Sequence, residues 1–69
     1  MNQDKPLEQR IRQLLAIDKN AVDIYRELAE MANKNEDKEI FKKIAVEEER
    51  HVNYSLAMLS LLSGQKTGA

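Results

Sequence analysis

Cysteine is absent from the sequence, which removes disulfide staples, zinc ribbons and rubredoxin-type iron sites and is compatible with a reducing cytosol. Proline occurs once, at Pro6, and glycine only at Gly64 and Gly68, so nothing between Pro6 and Lys34 breaks a helix. No charge of one sign dominates: 11 basic residues against 12 acidic leave a net charge of −1, with both signs interspersed. Such a chain has no strong field to attract nucleic acid or an anionic membrane. The apolar run from Leu56 to Leu62 is far too short to span a bilayer, and the start is polar through Pro6, unlike a signal peptide. A soluble, cytoplasmic protein is expected. Its 69 residues allow one small domain, and so short a chain rarely builds a sufficient core without disulfides, metal or oligomerisation.

What is present reads as two helices. Asp4 is placed to cap the first, with Pro6 in its first turn, and good helix formers follow over 6–34. The polar cluster Asn33-Lys34-Asn35-Glu36-Asp37 predicts a turn over 33–36, with Asn33 left-handed and Asn35 capping the return helix. The second helix is expected over 36–62, ended by Ser63-Gly64. Residues 1–5 and 64–69 are expected to be flexible ends around one domain, 6–63. The fold class is all-α, an antiparallel helical hairpin.

The phase of the apolar residues carries the functional signal. Leu7, Ile11, Leu14, Asp18, Ala21, Tyr25, Leu28 and Ala32 step by alternating threes and fours, which puts Asp18 where an aliphatic residue belongs. Phe41, Ile44, Glu48, His51, Ser55, Met58 and Leu62 do the same on the second helix, and Glu48 and His51, three apart, share one face. A reversal near residues 34–36 brings Asp18 level with roughly residues 50–53, within about a turn of Glu48 and His51. An unpartnered buried carboxylate is costly, and a divalent cation is the partner that suits two carboxylates and an imidazole together.

Apolar residues also extend beyond a single seam. Leu15, Val22 and Ala29 lie beside the first stripe, Ala45, Val52, Met58 and Leu59 beside the second, and Ile17, Ile24, Met31, Ile40, Tyr54 and Leu61 form a further line. Two helices cannot cover faces this wide. The simplest closed solution is a homodimer that makes an antiparallel four-helix bundle, with the further line favouring a higher homo-oligomer. A twofold axis would gather two copies each of Asp18, Glu48 and His51, the ligand set of a di-iron carboxylate bundle.

The pair of motifs Asp18-x-x-Ala21-Val22-Asp23-x-Tyr25 and Ala45-x-Glu47-Glu48-x-x-His51 resembles the ferritin-like superfamily. Its half-size branch, the encapsulated ferritins, and the ferritin-like part of rubrerythrins are the most similar, over about Leu14 to Ser55. The resemblance implies a ferritin-like four-helix bundle with a di-iron ferroxidase centre, two irons per dimer, oxidising iron(II) with dioxygen and serving iron storage or oxidation. By position Asp18 is the acidic ligand of the first helix, Glu48 the bridging carboxylate, His51 the nitrogen ligand and Tyr25 a hydrogen-bonding neighbour of the site. It further implies an encapsulin shell as partner and compartment, although Gly64–Ala69 is not the apolar peptide that docks such proteins. Asp18 stands where the family usually has Glu, and Ile17 and Asn20 stand where flanking acids are common.

Plainer readings compete residue by residue. A lone His51 is ordinarily a hydrogen-bonded core or interface histidine, and Asp18 could accept from a Tyr or Lys of a second chain. Tyr25 and Tyr54 are ordinarily core aromatics, and Glu47 and Glu49 solvated or interface acids outside the central phase. Manganese or zinc suits the same donors as iron. The alternative function is therefore a metal-free or structural-zinc hairpin that acts as an oligomerisation or interaction module.

Overall fold

A computed structural model describes the backbone of residues 4–67 and the side chains of residues 5–63. Two helices, α1 (Asp4–Met31) and α2 (Asn35–Thr67), pack against each other as a hairpin, with no strand among the described residues. Pro6 falls in the first turn of α1, where its missing N–H leaves no hydrogen bond unmade. The expectations for residues 1–3 and 68–69 lie outside the described residues.

The turn falls earlier than the sequence predicts, between Met31 and Asn35, and is closed by other groups. α1 stops at Met31, three residues before the expected end, and Ala32 N–H still donates to Leu28 O at 2.9 Å. No described residue has a positive φ, so Asn33 does not take the left-handed position expected of it. The α1 carbonyls find a partner on α2 instead: Lys38 Nζ donates to Ala29 O at 3.1 Å and to Glu30 O at 3.4 Å. A cation at that end also suits the helix dipole, and the last turn of α1 has no basic residue of its own. On α2 the first helical bond runs from Lys38 N–H to Lys34 O at 3.0 Å, so Lys34 precedes the helix and Asn35 already belongs to it. Glu36 and Asp37 sit in the first turn, as the dipole favours.

α2 also runs further than the sequence predicts, through Gly64 to Thr67. A glycine inside a helix costs only about 1 kcal/mol, which does not force an end.

The hairpin measures 52 × 19 × 11 Å, two helices wide and one helix thick. A layer this thin gives each helix one neighbour, and the core is correspondingly small: Val22, Ala29, Ala45 and Leu59 are its buried apolar residues. Tyr25 and Phe41 extend it with an aromatic contact between the helices, ring centroids 6.4 Å apart. Leu7, Leu14, Ile17, Ile24, Met31, Ile40, Tyr54, Met58 and Leu61 all remain exposed. No helix among the described residues is long and apolar enough to cross a membrane.

Candidate metal centre

Both helices deliver polar side chains to one place at mid-length. Asp18 comes from α1, Glu48 and His51 from adjacent turns of one face of α2, and one ligating atom of each lies within 4.8 Å of the others. The register that the turn imposes on two long helices is what brings them level. Burial falls off across the group. Asp18 is 9% exposed, and the Glu48 and His51 side chains are 22% and 58% exposed, with His51 Nδ1 3.8 Å from Glu48 Oε1. That separation is too long for a hydrogen bond and leaves room between the two atoms for a third party.

The sequence reading sets all three groups inward. In the hairpin Asp18 and Glu48 do face inward, whereas His51 opens onto the uncovered face. The reason is geometric: the stripe is broader than one helix–helix contact, and the other helix covers only its nearer half. Met58, on the same stripe, is exposed for the same reason.

Metal chemistry can be tested against these groups directly. Glu48 Oε1 is buried with no hydrogen-bond partner among the described residues. A carboxylate oxygen left this way is unfavourable unless a cation or donor meets it. A first-row divalent ion with bonds near 2.1 Å holds donors about 3–4 Å apart, so the three groups need to draw in by less than a bond length. Two carboxylates and an imidazole are donors suited to iron(II), manganese(II) or zinc. The residues present therefore fit a metal ion.

Tyr25, the expected hydrogen-bonding neighbour, is half-buried two turns along α1 from Asp18, with its ring against Phe41. Glu49 forms an interhelix ion pair with Arg26, and Glu47 is exposed. Two residues that the sequence left without a role adjoin the triad. Tyr54 and Ser55 line a concavity of about 250 Å³ together with Leu14, Asp18 and His51. The signal for Ser55 was already in the stripe, as a hydroxyl at an aliphatic position. Compared with known proteins, the chain matches no family model, no curated protein and no solved structure.

Proposed function

We propose that the chain is a di-iron carboxylate protein of the ferritin-like kind, a ferroxidase that oxidises iron(II) with dioxygen at a centre completed by a second copy. One observation carries this reading: the Asp18, Glu48 and His51 donor atoms meet within 4.8 Å while Glu48 Oε1 is buried without a partner. Asp18 from α1 and His51 and Glu48 from α2 would hold the iron, His51 as its nitrogen donor and Glu48 as the carboxylate shared between ions. Doubling the two carboxylates of one chain gives four, whose charge balances two divalent ions. Iron(II) held there would supply the electrons that reduce dioxygen. Iron(II) is the substrate: two ions lose one electron each, and dioxygen takes both electrons and two protons and leaves as hydrogen peroxide.

The second copy is proposed on the strength of the uncovered face. Leu14 and Tyr54 stand exposed at the opening beside the triad and Met58 is exposed further along the same stripe of α2, and a second hairpin laid across them makes a four-helix bundle. The same face also favours a second reading, a structural-zinc or metal-free interaction module, since apolar exposure of this extent calls for a partner whatever the metal does.

Anaerobic iron(II) titration followed by air separates the two. The ferroxidase reading expects uptake of about one iron per chain, dioxygen consumption, and loss of both in Asp18→Ala, Glu48→Ala and His51→Ala. No uptake, or tight zinc binding without dioxygen consumption, would contradict it.

A further inference from the structure

Ser55 is a polar residue at a core position that the reaction as described does not use. It is 8% exposed, four residues beyond His51 and seven beyond Glu48 on the same face of α2. Phe41, Ile44 and Leu62 show what that line otherwise carries. No side-chain hydrogen bond among the described residues involves Ser55 or Asp18. Both instead line the concavity of about 250 Å³ beside the triad, with His51, Leu14 and Tyr54.

We propose that Ser55 is a positioning residue for dioxygen, which it seats in the concavity bounded by Leu14, Asp18, His51, Tyr54 and Ser55; this rests on the ferroxidase reading above. The lining suits a small apolar molecule that acquires charge. Leu14 and the Tyr54 ring favour entry of an uncharged diatomic, while the Ser55 hydroxyl donates to the oxygen atom that becomes negative as electrons arrive. Asp18 cannot do this as a carboxylate, because it only accepts. The concavity opens on the face proposed to receive the second hairpin, whose arrival would close it against bulk water. A groove of about 410 Å³ elsewhere on the hairpin is lined by Lys19, Asp23 and Glu49 and by none of the triad.

The test compares wild type, Ser55→Ala and Ser55→Thr, with azide as the probe of the seat. In each, iron(II) stoichiometry is measured anaerobically, azide affinity on the iron(III)-loaded protein, kcat and KM for dioxygen separately, and the thermal midpoint without metal. Ser55→Ala is expected to keep its iron stoichiometry and a midpoint at or above wild type, since an apolar residue suits that line. Its azide affinity should fall about tenfold, with kcat/KM for dioxygen falling to match through kcat, and Ser55→Thr should restore both. Azide affinity and kcat/KM for dioxygen within about twofold of wild type in Ser55→Ala, with iron uptake intact, would overturn the role of Ser55 alone. A loss that Ser55→Thr fails to restore would also overturn it. Failure of the wild-type chain to take up iron would overturn the ferroxidase reading and this inference with it.

Discussion

The two broad faces of the hairpin are made of different chemistry. On one, charges are answered within the chain: Arg26 pairs with Glu49 across the helices, and Arg12 with Glu8 along α1 at 3.0 Å. On the other, the exposed Leu14 and Tyr54 line an opening together with Asp18 and His51, and a carboxylate oxygen of Glu48 lies buried with nothing to meet it. The first face has these charges met by the hairpin itself. The second is unfinished in two respects, apolar area without cover and anionic oxygen without a cation, and both deficits fall at the same place. That coincidence is the physical reason for proposing that a metal and a second chain complete it together.

The comparison can be broken from the open face first, where the largest effects are expected. Glu48→Ala should weaken iron(II) binding by more than about a hundredfold in an anaerobic titration, beyond the range typical of residues that merely support a ligand. Glu48→Leu should do the same while raising the thermal midpoint of the metal-free protein, because a buried unpaired oxygen gives way to a side chain that suits the stripe. A lowered midpoint in that variant would mean that Glu48 has a structural partner after all. Next in size, Leu14→Glu combined with Met58→Glu should abolish association in sedimentation while leaving helicity unchanged, since both residues are exposed in the single hairpin.

Smaller effects probe the seam and the first face. Val22→Ala should lower stability by roughly 1–2 kcal/mol in urea unfolding, as Val22 is one of few buried apolar residues. Arg26→Ala should change it by less than about 1 kcal/mol, because both members of its ion pair are substantially exposed to solvent. An Arg26→Ala effect larger than that of Val22→Ala would invert the contrast between the faces.

How far the site was legible follows from what each residue depends on. Asp18, Glu48 and His51 could be brought together on paper because two long uninterrupted helices and a short turn leave little freedom of register. The exposure of His51 could not, since it depends on how much of the stripe one neighbouring helix covers. The end of α1 was also hidden: it is set by Lys38 reaching back to Ala29 and Glu30, a tertiary contact that local turn preferences at Asn33 do not encode. Gly64 misled in the opposite direction, since one glycine is a weak stop within a helix that continues to Thr67. Ser55 was visible in the pattern from the start, but a helical serine ordinarily bonds to its own backbone, so its role emerged only with the concavity it lines.

Native mass spectrometry under anaerobic conditions, with and without iron(II), tests the central claim most directly. The account predicts a species of two chains carrying two irons, lost on substitution of Asp18, Glu48 or His51 by alanine. A single chain that binds no metal, or a dimer whose iron content is indifferent to those three substitutions, would contradict it.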